Sequence, residues 1–173
     1  MKKNIIYTLE NEEIKYLTKS DENLSFLINK IGSISYKLET DYFEFIINTI
    51  IGQMLSNKAA TAISNRLYVL CNNILDPLNI NKLNIDKLRA IGISSAKSKY
   101  ILEFTKFIND NPKYFKYINK LNDNQIINEM IKIRGIGIWS IKMYLIFVLN
   151  RMDILPYEGW CIFTIIQMVI FNN

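Results

Sequence analysis

Histidine is absent from this chain of 173 residues, and cysteine occurs only at Cys71 and Cys161. Without histidine there is no Ser-His or Cys-His nucleophile. Two cysteines are too few for a structural zinc site or a cysteine-ligated iron–sulfur cluster. Chemistry that needs no cofactor, or no chemistry at all, is what remains. Met1-Lys2-Lys3-Asn4-Ile5 lacks the apolar stretch of a signal peptide, and Glu10, Glu12 and Glu13 interrupt any candidate, so a cytoplasmic protein is expected. The apolar segment from Trp160 to Phe171 is twelve residues long, against the roughly twenty that span a bilayer, and no membrane association is expected. Alternation of strand type is scarce too, confined to Ile5-Ile6-Tyr7.

What is present is helical spacing of apolar residues, which make up 50% of the chain. The length suits one well-buried domain or a compact pair of helical lobes. A net charge of +5 and a pI near 9.1 suit a polyanionic partner without establishing one. The clusters Asn72-Asn73 and Asn122 to Asn124 follow from an AT-rich coding bias and need no functional reading. Asp21 is placed to cap a helix that ends at Gly32, and Thr40 or Asp41 to cap the next, with Phe43, Ile46, Ile47, Ile50 and Ile51 inward. Ser56 restarts the chain for a helix running to Cys71, itself a small core residue. Asp76-Pro77 and Asn79 to Asn84 read as a linker. Helices follow from Ile85 to Gly92, from Ser94 or Ser95 to near Pro112, and from Asn122 or Asp123 to Ile133. Trp139 to Leu149 is apolar nearly all round and is expected to be a central buried helix. The fold class is all-α.

Between the last two helices lies Ile133-Arg134-Gly135-Ile136-Gly137-Ile138-Trp139-Ser140. Two glycines flanking one apolar residue let the backbone turn tightly and approach a ligand with no Cβ in the way. Alone, such a turn fits ordinary helix packing equally well. Two further segments change the weight of it: Gly52-Gln53-Met54-Leu55-Ser56-Asn57-Lys58-Ala59-Ala60 and Leu88-Arg89-Ala90-Ile91-Gly92-Ile93-Ser94-Ser95-Ala96-Lys97. In this order and spacing the three resemble the helix-hairpin-helix (HhH-GPD) DNA glycosylases, in particular the 3-methyladenine DNA glycosylase II type, over roughly Phe43 to Glu158.

The resemblance implies a two-lobed helical fold that rotates one damaged nucleotide out of double-stranded DNA, a monomer acting at the nucleoid. Extruding a base costs a few kcal/mol of stacking and pairing, so the protein fills the gap and grips the backbone. Met54 matches the position of an apolar wedge, the alternative being a core methionine. Gln53, Ser56 and Lys58 flank it as DNA-binding positions. The amides of Gly135, Ile136 and Gly137 would meet a phosphate, with no cofactor other than a monovalent cation at the hairpin, and Lys142 or Arg134 would add charge; a solvated surface lysine is the other reading of Lys142. Trp139 stands where strand-cutting members carry a Schiff-base lysine, which implies base removal alone. In the alkyl-base branch this aromatic lines the pocket, its π face suited to a cationic alkylated purine, against a purely structural tryptophan.

The family's catalytic aspartate, which stabilises the oxocarbenium-like sugar, falls on Gly159 after Leu155-Pro156-Tyr157-Glu158. Glycine cannot replace a carboxylate, and the neighbouring Glu158 is a weak substitute because adjacent residues point apart. Losing a preorganised charge of this kind removes on the order of 3 kcal/mol of transition-state stabilisation. Asp153 matches a non-catalytic position before Leu-Pro and is expected to cap that turn. Beyond Glu158 the resemblance stops. An AT-rich reverse translation from Glu158, GAA GGA TGG TGC, becomes GAA GAT GGT GC after loss of one G. It then reads Glu-Asp-Gly-Ala and continues Phe-Leu-Gln-Ser-Tyr-Lys-Trp-Leu-Tyr, as expected for this branch. The aspartate requires a Gly159 codon ending in A, whereas the restored glycine and tryptophan are forced by Trp160-Cys161 and Met168-Val169. The expected organisation is therefore a glycosylase domain over 1–158 and an apolar tail over 159–173, truncated or out of frame, with a buried terminal element as the other reading. A glycosylase with impaired catalysis, a DNA-binding module without activity, and a helical interaction protein whose Gly-Ile-Gly is only a turn are the three functions left in competition.

Overall fold

The computed structural model describes residues 3–157; Glu158, Gly159, Cys161 and the rest of the apolar tail lie outside the described residues. Two compact units divide the chain, one built on the residues up to Thr40 together with Pro156 and Tyr157, the other spanning Asp41 to Leu155.

In the first unit, β1 (Asn4–Tyr7) pairs antiparallel with β2 (Ile34–Lys37), Ile5 opposite Tyr36. Helices α1 (Glu12–Ser20) and α2 (Glu22–Ile31) pack together between them in sequence. Asp21 caps α2, its side chain accepting from Leu24 N at 2.8 Å, and α2 ends at Gly32, whose φ of +72° favours glycine. Both α1 and β2 are additions to the sequence expectation. A four-residue strand such as β2 alternates too briefly to announce itself, and its partner lies thirty residues away.

The second unit is helical throughout: α3 (Tyr42–Gly52), α4 (Asn57–Leu70), α5 (Pro77–Ile80), α6 (Ile85–Ala90), α7 (Ser95–Asp110), α8 (Tyr114–Ile118), α9 (Asp123–Met130) and α10 (Ile138–Phe147). Side chains of Asp41, Ser56, Asp76, Asn84, Ser94 and Asn122 each accept a backbone N–H at a helix start, and Asn122 and Gln125 form a reciprocal capping box. Each cap stabilises its helix by about 1 kcal/mol. Phe43, Ile46, Ile47, Ile50 and Ile51 occur at the 3–4 spacing of one helix face and are all buried, each contributing roughly 1.5–3 kcal/mol. Phe43 stacks on Phe104 of α7 at 5.5 Å between ring centroids, and Tyr144 at the centre of α10 donates its hydroxyl hydrogen to Asn119 Oδ1 at 2.6 Å. Cys71 is buried beside this core, and burial pushes its thiol pKa up.

Three details of the sequence expectation change. The expected linker contains α5, because Asp76-Pro77 starts a helix as readily as it marks a turn and Ile80 is fully buried. The helix expected to reach Ile133 stops at Met130, three residues earlier. α10 buries Ser140, Ile141, Lys142, Tyr144 and Leu145 but leaves Ile138 and Trp139 exposed in its first turn, so it is not buried all round. No helix among the described residues is long and apolar enough to cross a membrane.

Candidate nucleic-acid interface

Two turns of the second unit meet at one hydrogen bond. The α3–α4 turn, Gln53 to Ser56, follows a helix that ends on Gly52; the α9–α10 hairpin runs from Ile131 to Gly137. Gln53 Nε2 donates to the carbonyl of Gly135 at 2.8 Å and lies 3.5 Å from Ser140 Oγ. Met54 and Trp139 are the immediate neighbours of Gln53 and Ser140.

Met54 is fully exposed and has a φ of +58°, in the left-handed region that a methionine rarely enters. The core-methionine alternative is thereby excluded. A linear apolar side chain held out in water at a cost of about 1–2 kcal/mol in backbone conformation has no packing role. Trp139 is 40% exposed, which excludes a tryptophan serving only the core. Lys58 is exposed in the first turn of α4.

The hairpin's two glycines have different reasons. Gly135 has a φ of +87°, and a Cβ there would sit 2.5 Å from the Tyr100 ring, so the fold itself requires glycine. Gly137 has ordinary extended backbone, and among the described residues a Cβ would meet nothing within 4 Å. No contact among the described residues explains it, and the open space beside it is what a close-approaching ligand needs. Gly137 begins α10, the one helix of eight or more residues in this unit that starts without a side-chain cap among the described residues. Uncapped amides with the positive end of the helix dipole behind them bind anions.

Several of the expected DNA-contacting residues have partners within the fold. The amide of Ile136 donates to Ile133 O at 3.1 Å and its side chain is buried, so it cannot meet a phosphate while that bond holds. Gln53 Nε2 donates to the hairpin carbonyl, which makes the side chain a tie between the two turns. Ser56 accepts from Ala59 N at 3.3 Å as the cap of α4, so its hydroxyl oxygen is used internally. Lys142 is neither a phosphate contact nor a solvated lysine: it is 8% exposed and its Nζ donates to Leu155 O at 3.0 Å, tying α10 to Leu155. The charge beside the hairpin belongs to Arg134, well exposed, over the Tyr100 ring at 5.7 Å and 3.6 Å from Glu103. Asp153 lies exposed in a bend. Glu158 and Gly159 fall outside the described residues.

Sequence reasoning gave no role to Lys97, although it closes the second motif segment, and none to Tyr100. Lys97 Nζ donates to Ile51 O at 2.8 Å and Gln53 O at 2.5 Å. Only the spacing of Lys97 and Tyr100, one turn apart on α7, carried any signal of a shared face. Among the described residues no group of three or more His, Cys, Asp and Glu could hold a metal ion.

No family model matches the chain. Over 165 residues it is 32% identical to DNA-3-methyladenine glycosylase 1 of Schizosaccharomyces pombe, covering 91% of this chain and 71% of that one. The solved 3-methyladenine DNA glycosylase of the same yeast, in complex with abasic DNA, superposes with a TM-score of 0.73 at 25% identity over 90% of this chain and 78% of that one. The DNA-3-methyladenine glycosidase of Bacillus halodurans gives a TM-score of 0.80 at 24% identity, covering 97% and 78%, which shows the shared fold.

Proposed function

Given that the chain belongs to the DNA-3-methyladenine glycosylases, we propose that it binds duplex DNA containing an alkylated purine, rotates that nucleotide out, and removes the base without cutting the strand. The observation that carries this reading is Met54, fully exposed, left-handed in backbone, and tied through Gln53 to the hairpin. An apolar side chain in that position fills the gap left by an extruded base. Gly137 and the uncapped start of α10 grip a phosphate, with Arg134 and Lys58 adding charge. Trp139 offers an aromatic face to an electron-poor alkylated base, and no Schiff-base lysine stands at its position.

A monovalent cation belongs to the same proposal. Among the described residues Ile133 O and Gly135 O each accept one hydrogen bond, from Ile136 N and Gln53 Nε2, which leaves each a lone pair there. These two oxygens would hold the ion, whose charge would offset that of a bound phosphate.

The catalytic step is proposed to be impaired in this sequence, because Gly159 stands at the family's aspartate position. The organisation proposed is a glycosylase domain over 1–158 with an out-of-frame tail over 159–173. Base release from methylated duplex and duplex binding, measured on one preparation, test the reading. Lesion binding with slow base release is expected. Salt-independent association, or no binding to DNA at all, would reject it in favour of a helical interaction protein.

A further inference from the structure

We infer that Lys97 is a positioning residue that holds the Met54 turn in its projecting conformation and in register with the hairpin. The inference rests on the reading of Met54 as the wedge.

The last carbonyls of a helix have no partner within it. At the end of α3, Gly52 O accepts from Leu55 N at 3.1 Å, while Ile51 O and Gln53 O both accept from the single ammonium of Lys97, which reaches over from the first turn of α7. α3 has no basic residue in its own last turn, so the cation that suits the negative end of its dipole comes from another helix. Burial holds the Lys97 ammonium below its usual pKa range, and the two carbonyls replace water it has lost.

Met54 follows directly. A left-handed methionine persists only where its surroundings over-determine it. Gln53, the residue before it, is fixed at two points: its carbonyl by Lys97, its carboxamide by Gly135. One turn along the same face of α7, Tyr100 packs against Gly135. A single helix face thus braces both the turn that enters the duplex and the hairpin that grips its backbone. Removing the ammonium leaves two carbonyls without their donor and lets Met54 relax toward ordinary backbone, away from its projecting position.

Base unstacking reports the wedge apart from the grip. The probe is a duplex with 2-aminopurine beside a tetrahydrofuran abasic analogue, whose fluorescence rises when neighbours unstack, compared with affinity for undamaged duplex of the same length. Lys97→Met is expected to lose about tenfold in lesion-dependent unstacking while undamaged-duplex affinity stays within about threefold. Lys97→Arg, which keeps donors on a long stem, is expected to recover most of the signal. In a Met54→Ala background, Lys97→Met is expected to cost little more, because both act through one wedge. If Lys97→Met fails to fold by circular dichroism, Lys97→Gln is read in its place, with the same expected loss. Parent-like unstacking in the lysine variant, equal loss of both readouts, or additive losses with Met54→Ala would overturn the inference. Parent-like unstacking in Met54→Ala itself would instead overturn the wedge reading on which it rests.

Discussion

Gly135 and Gly137 sit two residues apart and make opposite predictions. Gly135→Ala places a Cβ 2.5 Å from Tyr100 in a left-handed backbone, and it is expected to destabilise the protein by roughly 2–4 kcal/mol, read as a fall in melting temperature. Gly137→Val adds its side chain to open space and keeps the melting temperature near that of the parent, yet weakens duplex binding by obstructing the backbone approach. If Gly137→Val binds duplex as well as the parent, the hairpin is not the phosphate grip. The charged residues divide in the same way. Arg134→Ala and Lys58→Ala are each expected to reduce the slope of log affinity against log salt by about 0.9, whereas Lys142→Met lowers stability and leaves the slope alone, because its ammonium is bonded to Leu155 O. Little of this division was legible in the sequence. Lys58, Lys97, Arg134 and Lys142 are all cations near motifs, and only the fold decides which of them faces water.

Helices were far more legible than their ends. Asp21, Asp41, Ser56, Ser94 and Asn122 announce their helices because short polar side chains satisfy backbone amides at a helix start and compete with helix elsewhere. The short α5 and α8 were missed, since one helical turn has too few residues to show a period and depends on tertiary burial, as of Ile80 and Ile118. In α10 the apolar character was plain, but the same letters describe a core residue such as Ile141 and an exposed one such as Trp139. This helix also carries a pH prediction. Burial raises the pKa of Tyr144 well above its ordinary value of 10.0, and the pKa of Tyr114 rises for the same reason with Glu129 nearby. Both pKa values are raised on folding, so the stability they support is fully present below pH 10 and is lost as pH rises above it. Thermal unfolding followed from pH 8 to pH 11 is expected to show that decline, and Tyr144→Phe to lessen it. A flat profile would mean that Tyr144 ionises as freely in the fold as in the unfolded chain.

At the scale of the molecule, the family membership and the helical architecture were readable from three short segments in fixed order, because each serves a backbone geometry that few sequences satisfy. The catalytic end is readable only as a proposed mismatch, Gly159 at the position where the resemblance implies an aspartate. Scaffold and chemistry are separable claims. The hairpin, the Met54 turn and Trp139 do not depend on the carboxylate, so lesion recognition is expected to survive where catalysis does not. The most direct test is the single-turnover rate of 3-methyladenine release from methylated duplex at saturating protein, comparing the chain as it stands with a frame-restored chain carrying Asp-Gly-Ala after Glu158. The present chain is expected to release the base roughly a hundredfold to a thousandfold more slowly, with the strand left uncut by both. Equal rates would contradict the loss of catalysis at Gly159 and assign the working carboxylate to Glu158.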